Sequence, residues 1–508
     1  MIEPGKSSFE TAVTLEGSKT GVVEEPPFRI MALGNWSGDS GGKPLSERRP
    51  LDIDRDNFDA ILARMGTRLD LEIENRTLSL AFAELDDFHP DRIFRQLPVF
   101  GELRDLRRRL KDEGSFHAAV REAREKLPIS DSGGAAAAVR GTEPIASGEP
   151  PPADNLLDAI LSAPSGGAAA PRAGVSGELG RLIQDLVRPH LVSVDETEQT
   201  QVLAALDSAA GDLMRGILHN RKFQELEAAW RGLYFLVKHA DTSTEMKISV
   251  LDISKAELSE NLKASENLSE TILYRHLIRD AIETPGGEPW AVVIGNYAFE
   301  PVVDDIAALM RIGKLSAAAN APFVAHMRPD VLGIHSLADS PETRTWKIDE
   351  NSDAGRLWET LRRQPASEYL GMTIPRLLMR LPYGHNTDPL ETFSFEEFND
   401  APGHDQYLWS NGSFAVGRLL AESFASYGWE MGRALKQDIE GLPVHIYSDG
   451  GETVYKPCSE ALMTQEACER LMEYGLMPLV TYKNTDHVKL GRFQSIANPV
   501  TGLKGMWS

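Results

Sequence analysis

Several groups of residues have the types and spacing that chemistry needs, and each meets a physical objection. Gly38-Asp39-Ser40-Gly41-Gly42 sets a serine among glycines, as around a nucleophilic hydroxyl. Such a serine needs a histidine base and an acid that orients it. Where base and acid precede the serine in the chain, the histidine must fall in residues 1–39, and there is none there. A nucleophile elbow instead needs a strand straight into the loop and a helix straight out. Here the apolar run stops at Leu33 and the loop leaves into Lys43-Pro44-Leu45, so a glycine-rich turn is expected. Asp86, Asp87, His89 and Asp91 carry metal-ligating groups, yet they stand directly before a helix expected at Pro90. Acidic residues there cap free N–H groups and complement the helix dipole. Gly313-Lys314 has Ala308 where a phosphate loop needs its first glycine. His385, His404, His445 and His487 are isolated along the chain and read as surface or satisfied core residues. No catalytic residue, metal site or cofactor is expected, and the chain is read as a non-enzyme.

The elements that would position such groups fall into two lengths. Residues 28–33 read as a strand, 34–43 as a Gly/Ser loop and 51–53 as a short strand. A helix is expected over 58–65, with Phe58, Ile61, Leu62 and Met65 on one face. Residues 69–73 and 78–82 alternate at period two around a turn at 74–77, as a hairpin does. Two amphipathic helices broken near Pro98 follow, the second striped by Leu103, Leu106 and Leu110, and a last helix is expected at 116–127. From 128 to 176 the composition shifts to Ala, Gly, Pro and Ser, too polar and small to offset chain entropy, so a linker is expected. Inside it Leu156, Leu157, Ile160 and Leu161 cluster at helical spacing. They read either as a patch docked on a neighbouring domain or as a short helix held out for a partner groove.

The second length starts near residue 177, with helices expected at 178–191, 196–218 and 223–237. Phe223, Leu226, Trp230, Leu233 and Val237 stripe the last of these. A strand at 246–253 precedes Ser254-Lys255-Ala256-Glu257, the spacing of a capping box. Strand, helix and strand at 290–294, 303–320 and 322–326 favour a parallel sheet. Pro375 reads as the start of a helix that Pro382 ends; Asp449-Gly450-Gly451 marks a hairpin; a helix is expected from about 460 and a strand at 479–482. The fold class is α/β: two modules with mixed sheets flanked by helices, at 1–127 and 177–508, joined by the linker.

The net charge of −23 and the scatter of basic residues exclude a nucleic-acid binder, which needs clustered cations. The densest cluster, Arg104, Arg107, Arg108, Arg109 and Lys111, reads as a solvated helix face. Cys458 and Cys468 fit neither a disulfide framework nor a zinc site. The start Met-Ile-Glu-Pro-Gly-Lys lacks the form of a signal peptide, and no apolar run is long enough to cross a membrane. A cytoplasmic protein without membrane insertion is expected.

Particular words of the sequence go further. Phe28-Arg29-Ile30, Leu33-Gly34-Asn35-Trp36-Ser37-Gly38, Leu45-Ser46-Glu47-Arg48-Arg49-Pro50, Asp54-Arg55-Asp56-Asn57-Phe58 and Leu85-Asp86-Asp87-Phe88-His89-Pro90-Asp91 resemble the small contractile-sheath subunit of type VI secretion systems (TssB, or VipA). Ile217-Leu218-His219-Asn220-Arg221-Lys222-Phe223, Gly286-Gly287-Glu288-Pro289-Trp290, Gly371-Met372-Thr373-Ile374-Pro375-Arg376, Arg380-Leu381-Pro382-Tyr383-Gly384 and Lys483-Asn484-Thr485-Asp486 resemble the large subunit (TssC, or VipB). The resemblances run over about 25–127 and 153–498. They imply a structural building block, a fusion of the small subunit with a large subunit lacking the family's C-terminal part. Its implied partners are other sheath subunits, the inner-tube protein, the baseplate and a ClpV-type ATPase, the last reading the helix of Leu156, Leu157, Ile160 and Leu161. The alternative is a sheath-like accessory, an end cap, adaptor or regulator that binds sheath or baseplate without forming a full lattice.

Overall fold

The computed structural model describes residues 25–40, 42–73, 76–111, 115, 118–120, 122, 198–340, 342–398 and 402–508. The expected linker with Leu156, Leu157, Ile160 and Leu161, the expected helix at 178–191 and most of that at 116–127 lie outside these residues.

In chain order the first length contributes β1 (Phe28–Gly34), β2 (Leu51–Ile53), α1 (Phe58–Met65), the strands β3 (Arg68–Ile73) and β4 (Arg76–Ala81), α2 (Pro90–Gln96) and α3 (Gly101–Lys111). The second begins with the long helices α4 (Glu198–Leu218) and α5 (Arg221–His239), then β5 (Met246–Asp252), α6 (Lys255–Lys263), a π-helix at Arg275–Glu283, β6 (Val292–Phe299), α7 (Val303–Ala319) and β7 (Phe323–Met327). After α8 (Asp353–Arg362) come β8 (Leu370–Ile374), the short pair β9 (Leu377–Leu378) and β10 (Trp409–Ser410), and α9 (Ser413–Tyr427). The chain closes with β11 (Asp438–Ile439), β12 (His445–Asp449), β13 (Glu452–Lys456), α10 (Gln465–Glu473), β14 (Leu476–Thr481) and β15 (Val488–Leu490).

Among the described residues nine strands form one mixed sheet in the order β11-β15-β14-β8-β7-β6-β1-β5-β2. The α/β class is as expected, with helices on both faces. The sheet is shared: β1 and β2 of the first length are built into the strands of the second. Side chains alternate across a strand, so β1 feeds two cores. Ile30 and Ala32 join Trp36, Trp230, Leu233 and Phe414 on the face of α5 and α9. Met31 and Leu33 join Leu258, Leu277, Leu309 and Trp358 on the face of α6, the π-helix, α7 and α8. A strand covered on both faces reads as a continuous apolar run, which is why residues 28–33 carry only Arg29 as a charge.

Several local expectations need correction. The β3–β4 register pairs Ile73 with Arg76, so Arg76 and Thr77 lie in a strand, not in the turn. β6 runs on to Phe299, past an irregularity between Ile294 and Ala298. No helix spans Pro375 to Pro382: the Ile374–Pro375 peptide is cis, and the backbone takes distant partners. There Leu378 N–H donates to Cys458 O and Met379 N–H to Leu408 O, bonds that an α-helix would have kept within itself. The helix expected from 460 begins at Gln465, where the Thr464 side chain accepts from Ala467 N–H. The capping box at Ser254 and Glu257 is formed. The hairpin of β12 and β13 turns through Gly450 and Gly451, at φ 58° and 88°, the signs a primed two-residue turn requires. Among the described residues no helix is long and apolar enough to cross a membrane.

Candidate functional site

The densest convergence of specific contacts lies along the seam where the first length meets the second. β1 has no free edge. It pairs parallel with β5 from Phe28↔Met246 to Gly34↔Asp252, and with β6 from Ile30↔Val292 to Leu33↔Gly295. Beyond the strand its chain is held by a carboxylate: Asp252 Oδ1 accepts from the backbone N–H of Trp36 at 2.8 Å and of Ser37 at 3.1 Å. The Trp36 indole donates to Leu251 O at 3.2 Å, and the Trp230 indole of α5 donates to Trp36 O at 3.1 Å. The Trp36 and Trp230 rings meet edge to face at 5.5 Å, a geometry favoured by the ring quadrupoles. At the other end Phe28 stacks on Phe424 at 4.8 Å, and the Trp429 indole donates to Pro26 O at 2.8 Å.

Charged groups lock the rim. Arg48 makes a two-pronged pair with Glu257 (3.0 and 2.7 Å) and donates to Asp252 O at 2.9 Å. Burial would raise the Glu257 pKa, but the Arg48 bond and the bonds within the capping box outweigh it and hold the carboxyl below its usual range. The π-helix grips the same loop: Arg275 donates to Ser46 O at 2.6 Å, and His276 Nε2 lies 3.2 Å from Arg48 O. Arg29 lies 3.7 Å over the Trp290 ring. A second line of contacts runs through α2 and α3. Asp91 accepts from the backbone N–H of Glu391 (2.9 Å) and Thr392 (3.0 Å) and from the Thr392 hydroxyl (2.5 Å). Burial pushes its carboxyl up, yet these bonds together bring it below the ordinary value. Arg107 pairs with Asp207 of α4.

The groups singled out in the sequence now have definite places. In the Gly38-Asp39-Ser40 turn, Gly38 has φ 66°, and a Cβ there would fall 2.2 Å from Arg68 O. The turn docks on β3 through Asp39 N–H to Arg68 O at 2.8 Å, and the Asp39 carboxylate meets Lys222 at 3.2 Å. Asp87 shares a capping box with Glu84, and the His89 side chain accepts from Asp91 N–H. Asp91 departs from expectation: it serves two amides of a distant loop, not its own helix. The basic cluster is corrected likewise. Arg107 is largely buried against Asp207, Arg104 bonds Phe94 O and Arg95 O, Arg109 pairs with Glu122, and Arg108 is exposed beside Asp105. Of the isolated histidines, His404 meets Glu460, His445 meets Tyr407 and His487 meets Asp438; His385 N–H bonds Glu396.

One cluster had no signal in composition or spacing. Arg380, its side chain 9% exposed, joins Glu227 of α5 (2.9 Å) and Glu397 (2.7 Å), both fully desolvated. Arg231 also binds Glu227 at 2.7 Å, and the Glu397 carboxylate accepts Tyr383 N–H at 2.8 Å. Burial pushes the Glu397 carboxyl up, but Arg380 and the hydrogen bonds around it win and lower it to about 2. The loop from Arg380 to Glu397 is thus closed on itself by the Arg380–Glu397 pair and tied to α5 through Arg380, while Glu391 and Thr392 within it take Asp91 of the first length. The His89 ring meets the Tyr383 ring edge to face at 4.9 Å, linking the two sets. The arrangement positions backbone and buries charge in pairs; it is a device for holding two lengths of chain in one register.

Comparison with known proteins divides the chain at the same seam. Residues 200–497 match the family described as EvpB/VC_A0108, tail sheath N-terminal domain (VipB). Residues 12–128 match the family described as type VI secretion system, VipA, VC_A0107 or Hcp2. The type VI secretion system sheath protein TssC1 of Pseudomonas aeruginosa is 35% identical over 324 residues, which cover 62% of this chain. The chain spans 64% of the length of that relative. With the sheath-domain match running over more than half of its residues, this chain belongs to the tail sheath family, and it carries a VipA-family stretch in the same polypeptide.

Proposed function

We propose that this chain is a structural component of the contractile sheath of a type VI secretion system, with small and large subunits fused into one protomer. The observation that carries this reading is the place of β1: a strand of the VipA-matching stretch lies between β5 and β6 of the VipB-matching stretch. One chain therefore supplies both halves of a single sheet. Such a role stores work in lattice contacts and needs no catalytic group, so on this reading the chain is not an enzyme. We divide it into a small-subunit module at 1–127, a linker at 128–176 and a large-subunit module at 177–508. Tethering raises the effective concentration of one module for the other without any new contact.

On the same reading the chain works in the cytoplasm. Its partners are further sheath protomers, the inner-tube protein, the baseplate and a ClpV-type ATPase that takes Leu156, Leu157, Ile160 and Leu161 into a groove. Negative-stain electron microscopy of the purified chain, alone and with a complete small–large subunit pair, tests the assembly. Tubes from the chain alone are the expected result. Small closed oligomers alone, with shortened or capped tubes in the mixture, overturn it in favour of an accessory that binds sheath without extending it. For the ATPase contact, Leu157→Asp with Ile160→Asp should abolish binding to a ClpV-type ATPase; equal binding by the variant sinks that assignment.

A further inference from the structure

The β12–β13 hairpin stands apart from the seam. Its two strands pair only with each other among the described residues, so what holds it to the body is the set of side chains at its root. The root is the cross-strand pair His445↔Lys456. Lys456 lies over the rings of Tyr407 and Trp409, at 5.1 and 5.6 Å, and His445 Nδ1 is 2.8 Å from the Tyr407 hydroxyl. The His445 ring also faces Phe398 at 6.3 Å, and a further contact is through His404, whose ring stacks on Trp409 at 5.1 Å. Lys456 Nζ lies 3.4 Å from His404 Nδ1, and Glu460 Oε1 lies 3.3 Å from His404 Nε2.

These two partners fix one protonation state. An ammonium only donates and a carboxylate only accepts, so His404 must offer a lone pair at Nδ1 and a proton at Nε2. That is a neutral ring. A second proton would sit on Nδ1 and face the ammonium, replacing a hydrogen bond with two like charges. Glu460 cannot follow Lys456, because Arg376 holds it through its guanidinium (2.9 and 2.6 Å) and its backbone N–H (2.7 Å). The protonated ring would keep Glu460, and Lys456 is the partner that leaves. The geometry points to a proton-operated latch: neutral His404 clasps Lys456, and protonation of its Nδ1 frees the hairpin root.

Asp405 lies beside His404 on its own turn, and Asp339, in the segment between β7 and α8, acts on Lys456. His326 of β7 acts on Glu460 but is fully buried, and its pKa is lowered by that burial to about 4. Burial also lowers the pKa of His445 and of the Lys456 ammonium, so the root is already short of stabilisation for its charge.

Hydrogen–deuterium exchange on the full chain, corrected for the intrinsic pH dependence of exchange, tests the latch between about pH 8 and about pH 5.5. Protection of the β12–β13 amides should fall about tenfold on acidification, with β1 amides unchanged. His404→Gln can accept from Lys456 and donate to Glu460 but takes no proton, so its hairpin protection should stay flat. Lys456→Met should give low protection at both pH values with no step, and His445→Gln should keep the step. A flat wild type, or a step that survives in His404→Gln or Lys456→Met, overturns the latch. Loss of the step only in His445→Gln does the same, by moving the titration to the other histidine.

Discussion

β1 and the β12–β13 hairpin are held in opposite ways. By residue type the hairpin is the better β-former: Ile446, Tyr447, Thr453, Val454 and Tyr455 are β-branched or aromatic, whereas β1 contains Met31, Ala32 and Gly34. Yet β1 is an interior strand with both faces covered, while Ile446 and Tyr455, directly opposed across the hairpin, are 53% and 42% exposed. Strand propensity reports fit to a half-buried surface more than backbone preference. What secures a strand here is the surface laid over it.

Substitutions can break that contrast. Trp36→Ala empties a fully buried site at the seam and should cost about 3–5 kcal/mol, read as a lowered denaturant midpoint. Glu397→Ala, which strands Arg380 without one of its two carboxylates, should cost a comparable ~3–5 kcal/mol. Acid should act on the same cluster. The Glu397 carboxyl is lowered from 4.5 to about 2 in the fold, so the unfolded chain binds its proton first as pH falls. The stability this group contributes is complete above about pH 4.5 and is lost as pH drops towards about 2. An acid titration followed by near-ultraviolet circular dichroism should show this loss, and Glu397→Gln should flatten it. Asp252→Ala leaves the Trp36 and Ser37 amides without their acceptor and should cost about 1–3 kcal/mol. Ile446→Ser, on the exposed hairpin face, should stay within about 0.5 kcal/mol. A hairpin variant as damaging as Trp36→Ala would show that the hairpin has a cover in the folded protein and would erase the distinction.

Local periodicity made much of the architecture legible. The continuous apolar run of residues 28–33 marked β1, and the stripe from Phe223 to Val237 marked α5, because a 3.6-residue or two-residue repeat is written wholly within its own segment. Pairing across the chain is not written there. Nothing near Phe28 names Met246 as its neighbour, and Asp91 looked like a cap for its own helix because its amide partners are 300 and 301 residues away. The Arg380 cluster was hidden for the same reason, since Arg380, Glu397 and the Glu227–Arg231 pair come from three separate segments. The reading of Pro375 as a helix start failed where distant carbonyls claimed the local N–H groups.

The shared sheet also sets a timetable. Trp36 leaves the ribosome 216 residues ahead of Asp252, the carboxylate that receives its amide. At about 5–20 residues per second of synthesis, β1 spends roughly 10–40 s with both of its edges unmatched before β5 exists. The β3–β4 hairpin, whose strand pairing lies within residues 68–81, has its hydrogen-bond partners at once. The strand that ends in the interior of the sheet is thus made first among its neighbours and paired late, and during that interval it is the segment of the nascent chain with most to gain from being shielded.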